Sequence, residues 1–125
     1  MNTKIFLGIQ IIAGLLLVVF GLNGFLHFLP MPEANEQMGA FGGAVYKTGY
    51  IFPLMAVIEI LAGLAFIVNK YTSLMAVLVI PFMLNALLAH LFLDMNGIAP
   101  SAFIVFSLLV IMFKNKESFR LIFKA

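Results

Sequence analysis

Four long apolar runs, about 5–29, 50–68, 73–93 and 98–113, leave little of this 125-residue chain for anything else. A hydrocarbon core ~30 Å thick is crossed by roughly 20 apolar helical residues. Inside it every backbone N–H and C=O must be paired within the protein, so runs of this length read as helices. Hydrophobic residues make up 64% of the chain and charged ones 10%. A soluble domain carries about 25% charged residues, so this is a membrane composition. The expected fold is a single all-α domain over residues 1–125. Lys4 followed by an apolar run imitates a signal peptide, but the run is too long for one and lacks an A-x-A site. It reads as a retained first span.

The connections set the order. Pro30-Met31-Pro32 stops the first helix. Residues 33–47 are polar, then glycine-rich, with Met38, Phe41 and Val45 at near-helical spacing. They read as a short surface helix capping one end, or as a flexible loop. Asn69-Lys70-Tyr71-Thr72 and Asp94-Met95-Asn96-Gly97 are tight turns. Pro53 and Pro100 fall in first turns, where a missing N–H costs little, and Pro81 should kink the third span. Four spans on short turns give an antiparallel up-down bundle. In the tail, 114–125, Lys116, Arg120 and Lys124 share a face roughly opposite Phe119, Ile122 and Phe123. This reads as an amphipathic interfacial helix facing anionic headgroups, or as a frayed continuation of the fourth span.

The basic residues orient the bundle. With both termini cytoplasmic, Lys4, Lys70, Lys114, Lys116, Arg120 and Lys124 lie inside and only Lys47 outside. The positive-inside rule selects this arrangement, in a cell (inner) membrane. Tyr46, Tyr50 and Tyr71 fall at interfaces, as in an aromatic belt.

Several chemistries lack their residues. The chain has no cysteine, which removes disulfides, thiol catalysis and thiolate metal sites. No basic run interleaves with aromatics, so a nucleic-acid partner has no support. No phosphate loop, HExxH, CxxCH or nucleophile elbow occurs. Most of the eight methionines and fourteen phenylalanines are packing or lipid-facing residues.

The chemistry therefore rests on a few polar groups, above all Glu59, the one acid inside a span. It lies about nine residues from each end of its run, ~14 Å deep at 1.5 Å per residue. Ala56 and Gly63 share its face, and small residues mark helix contacts rather than lipid. Glu59 is thus expected to point into the bundle, with Asn23 and Asn85 as its hydrogen-bond partners. Gly14, Gly21 and Gly24 give the first span a face suited to close packing. Asn23, His27, Asn85 and His90 all fall in the outer half, and Gln10 is the main polar break in the inner half. This one-sidedness predicts a polar pocket toward the outer side, holding Glu59, Asn85, Asn23, His90 and His27. His90 follows Asn85 by five residues, roughly 140° around a helix, so both cannot face the pocket centre. Three roles stay open. Glu59 fixes helix register through an interhelical hydrogen bond, or it joins the histidines in binding a polar head group or moving protons. A metal held by His27, His90 and Glu59 is the third, but Glu59 lies too deep to share ligands easily with two interfacial histidines. A bis-histidine haem on His27 and His90 is a minor variant.

Gly21-Leu22-Asn23-Gly24-Phe25, Ile58-Glu59-Ile60-Leu61-Ala62-Gly63-Leu64 and Asn85 through Asp94, in that order, resemble the DoxX family over nearly the whole chain. The Glu-x-x-x-Gly and Asn-x-x-x-x-His patterns carry most of the likeness. The resemblance implies a small four-span membrane protein, in a family that includes quinone-linked sulfur oxidation and oxidative-stress assemblies. The matching positions are Asn23, Glu59, Gly63, Asn85 and His90. Gly24 stands where the family often has a basic residue, which weakens any anionic-substrate role there. The functional expectation is a pocket serving a membrane redox process, with a quinone or other small amphipathic ligand and a redox partner protein. The alternatives are a non-catalytic adaptor or assembly factor and a small transporter or proton pathway working as a homo-oligomer. Whether the chain is an enzyme is left open by its residues.

Overall fold

A computed structural model describes residues 3–30 and 33–125. The helix stop read at Pro30-Met31-Pro32 falls partly outside these residues. Six helices and no strand occur among them: α1 (Thr3–Leu26), α2 (Glu36–Lys47), α3 (Ile51–Val68), α4 (Thr72–Phe92), α5 (Ala99–Lys114) and α6 (Lys116–Ile122). α1, α3 and α4 are each long and apolar enough to cross a membrane. α5 and α6 meet the same test only as a pair, bent by 90° between them. The 16 residues of α5 alone span about 24 Å, short of a full hydrocarbon core.

α1 packs most extensively on α3, and α5 also touches α1 and α4, while α4 also touches α3. Small residues explain the first interface. A methyl placed on Gly63 would sit 2.6 Å from the Gly14 carbonyl oxygen, and one on Gly21 2.9 Å from the Ala56 carbonyl oxygen. These contacts run in opposite sequence directions, so α1 and α3 are antiparallel and their backbones nearly touch. Without a hydrophobic drive between helices in lipid, such close approach is the main source of attraction.

The side chains fill only half of the bundle. Leu17, Ala62, Phe66, Ala76, Val79, Leu108 and Ile111 form a dense core toward the start of α1 and the end of α5. Most outward positions are apolar, among them Leu22, Leu64, Leu78 and Leu109. Tyr46, Tyr50 and Tyr71 are all well exposed near helix ends.

At the far end, away from the cavity described below, a polar knot ties three elements. Gln10 is fully buried on α1. Its Nε2 donates to the Phe66 carbonyl at 2.9 Å and to Asn69 Oδ1 at 2.9 Å. Phe66 lies in the last turn of α3, where carbonyls lack intrahelical partners. Lys114 Nζ donates to Gln10 Oε1 at 2.8 Å and to Asn69 Oδ1 at 3.3 Å. Asn69 takes the left-handed conformation that ends α3 (φ 56°), which asparagine tolerates better than most residues.

One boundary differs from the sequence expectation, and two open readings resolve. α1 ends at Leu26 rather than Leu29, with His27 in the left-handed region (φ 52°). Asn23 Oδ1 accepts the Leu29 N–H at 2.8 Å, drawing the chain back over the helix end before Pro30 is reached. Residues 36–47, for which helix and loop were both open, form α2. Asn35 starts it, its Oδ1 accepting the Met38 N–H at 2.8 Å. The tail is not a straight extension of α5. Asn115 breaks the helix, donating from Nδ2 to the Ile111 carbonyl, and α6 turns away with Phe119 buried and Leu121, Ile122 and Phe123 exposed.

Candidate functional site

Where the core stops, the bundle opens into a cavity of about 800 Å³. This lies within the ~300–1,000 Å³ typical of small-molecule sites. The C-terminal halves of α1 and α4, the N-terminal halves of α3 and α5, and the end of α2 all contribute to its wall. Phe20, Phe52, Met55, Ala56, Met83 and Ile104 supply apolar surface. Glu59, Asn23, His27, His90, Tyr46 and Ser101 supply polar groups.

Glu59 reaches the wall from α3, between buried Ala56 and Gly63. The two small residues let α1 press against α3, and that closeness leaves the longer side chain at 59 directed to the cavity. The residue is 5% exposed, and its side chain has no hydrogen-bond partner among the described residues. Among the described residues no fully inaccessible side-chain oxygen lacks a partner, so the residual accessibility of Glu59 lies on its carboxyl, facing the cavity.

The other polar groups have partners that fix their free valences. Asn23 Oδ1 is occupied by the Leu29 N–H, which leaves its NH₂ group. His90 Nδ1 lies 3.0 Å from the Asp94 carbonyl. A carbonyl only accepts, so Nδ1 carries the proton and Nε2 of the neutral ring is an acceptor. Ser101 Oγ donates to the Ile98 carbonyl at 2.9 Å, leaving lone pairs to accept. His27 sits exposed just past the end of α1.

Asp94 joins this site to the segment that starts α2. Its Oδ2 accepts the Asn35 N–H at 2.9 Å, its Oδ1 accepts the Asn96 N–H at 3.0 Å, and Asn35 Nδ2 donates to the Leu93 carbonyl. The start of α2 is thereby fastened to the α4–α5 turn. The N–H groups of Asn35 and Asn96, with a smaller contribution from His90, hold the Asp94 carboxyl below its usual range.

Of the five residues expected in the pocket, Glu59, Asn23, His90 and His27 line the cavity and Asn85 does not. Asn85 is exposed on the outside of α4. The five-residue step to His90 turns its side chain away, so it cannot be the partner of Glu59. Asn23 spends its acceptor on the end of α1 instead. Among the described residues no three His, Asp or Glu side chains come together as a metal set. Tyr46, read from the sequence as an interfacial tyrosine only, and Gly49 and Ser101 are wall residues that the sequence reading did not place in the pocket. Ser101 carried one signal, a hydroxyl in the first turn of a span beside Pro100.

Comparison of the chain with protein-family models, with curated proteins and with solved structures returns no match.

Proposed function

We propose that this chain is a DoxX-like multi-pass membrane protein that holds a small amphipathic molecule in the cavity beside Glu59. The observation behind it is an acid without a hydrogen-bond partner among the described residues, almost fully buried, facing a space of about 800 Å³ whose wall is largely apolar. An acid kept in that position needs a partner or a purpose. In this reading α1, α3, α4 and the α5–α6 pair are four antiparallel spans. The termini face the cytoplasm of a cell that carries the protein in its inner membrane, and the cavity faces outward. Basic-residue placement supports the orientation, and the positions of the lining residues along each helix support the alternation of direction.

The resemblance alone suggests the setting, a quinone-linked membrane redox process with a redox partner protein. The test is binding of a short-chain quinone, and quinol-linked electron transfer, by purified protein and by Glu59→Gln. Binding that is present in the first and weakened in the second supports the reading. No quinone binding by the unmodified chain removes the quinone.

A second reading has its own observation. α6 turns 90° from α5 and presents Leu121, Ile122 and Phe123 beside Lys116 and Arg120. That surface suits headgroups or a partner protein of an adaptor or assembly factor. Deleting 116–125 and losing co-purified partners, with ligand binding intact, favours the adaptor. Transport by a homo-oligomer is the third reading, and proteoliposome flux unchanged by Glu59→Gln counts against it.

A further inference from the structure

We propose that the cavity selects a hydrophobic organic cation, an ammonium- or phosphonium-type molecule with apolar substituents, whose charge is held at Glu59. The inference rests on the cavity being a ligand site, but not on the quinone setting.

Three features of the wall point to this class. First, Glu59 is its one acid, and no lysine or arginine lines it. Apart from the imidazoles of His27 and His90, the wall holds no group that can become cationic, so a permanent positive charge beside this carboxylate must arrive with the ligand. The nearest candidate on α5, Lys114, is committed to Gln10 and Asn69 at the opposite end of the bundle. Second, the fixed hydrogen bonds leave acceptors at His90 Nε2 and Ser101 Oγ besides Glu59. The lining as a whole thus favours positive potential in the ligand. The exceptions are Asn23, with its NH₂ group left over, and the Tyr46 hydroxyl and His27 ring, which can also donate. Third, the remaining wall is aromatic and thioether surface from Phe20, Phe52, Met55 and Met83, which are soft and polarizable. A hydrated metal ion has no use for such a surface, whereas a delocalised cation with apolar groups fits it. The volume of about 800 Å³ admits a molecule of several rings.

The test uses the full chain in detergent or nanodiscs with two probes, tetraphenylphosphonium and an uncharged short-chain quinone. Equilibrium dialysis is run on the unmodified protein, Glu59→Gln and Glu59→Asp. The expected result is phosphonium binding that falls about tenfold to a hundredfold in Glu59→Gln and is largely kept in Glu59→Asp. Equal phosphonium binding by the unmodified protein and Glu59→Gln overturns the proposal. So does quinone binding with no phosphonium binding, an outcome that leaves the ligand-site reading standing. If neither probe binds, both fall. A Glu59→Gln protein that does not fold would be recognised by its gel-filtration profile, and Phe52→Ala then replaces it. That variant is expected to weaken the phosphonium several-fold, and unchanged binding overturns the proposal.

Discussion

Lys114 Nζ donates to Gln10 Oε1 across 2.8 Å, joining the last residue of α5 to the second turn of α1. Gln10 is fully buried and also satisfies the end of α3 through Phe66 and Asn69. Gln10→Ala therefore leaves an α3 carbonyl and the Lys114 ammonium short of partners. A loss of about 1–3 kcal/mol is expected, read as a lower melting temperature in detergent. Cavity ligand binding, at the other end, should hardly change.

The α1–α3 seam gives a sharper steric test. On Gly63 a methyl group would lie 2.6 Å from both the Gly14 carbonyl oxygen and Val18 Cγ2. Gly63→Ala must push the helices apart, at a cost of about 1–3 kcal/mol. Gly8 has nothing within 4 Å of the same added atom. Gly8→Ala should match or exceed the parent in stability, since alanine is the better helix former by about 1 kcal/mol. Thermal unfolding of the two variants side by side checks the contrast.

Asp94 predicts a pH dependence of the link between α2 and the α4–α5 turn. Its folded pKa is depressed by the N–H groups of Asn35 and Asn96. A depressed carboxyl contributes stability above its unfolded pKa and loses it as pH falls through the folded value. The Asn35–Asp94 link should therefore hold at neutral pH and loosen only below the ordinary aspartate value of 3.8. Hydrogen exchange at Asn35 and Asn96 should accelerate in that acid range, and in Asp94→Ala at any pH.

Asn85 supplies a negative control inside the same sequence motif as His90. Its side chain lies outside the cavity, so Asn85→Leu should leave ligand binding within about twofold. His90→Leu removes a wall acceptor and should weaken binding by about 1–2 kcal/mol. Parallel titrations of the two variants separate them. Equal losses would place Asn85 in the site after all.

Much of this was legible in the residues, for reasons of length and depth. The apolar runs give the helices to within three residues or so, because lipid leaves the backbone few other choices. Depth along a run also brought Glu59, Asn23, His27 and His90 to one end. Angle around the helix was harder. Asn85 has the right depth and the wrong face, and only its step to His90 warned of that. The knot of Gln10, Asn69 and Lys114 was not legible, because it joins residues up to 104 positions apart. It needed the bundle to be assembled first. The wall contributed by Tyr46 and Gly49 belongs to the same class, since α2 has no apolar run to announce where it lies.

The glycine seam bears on how the cavity can breathe. With α1 and α3 in near backbone contact, neither helix is expected to shift without the other, and Glu59 sits on that shared wall. Enlarging or emptying the space then falls to the opposite wall: α4, with Pro81 interrupting its ladder, and α5, held at its far end by Lys114. Unequal compliance is the expected consequence, with a firm side that keeps the acid in place and a more yielding side opposite it.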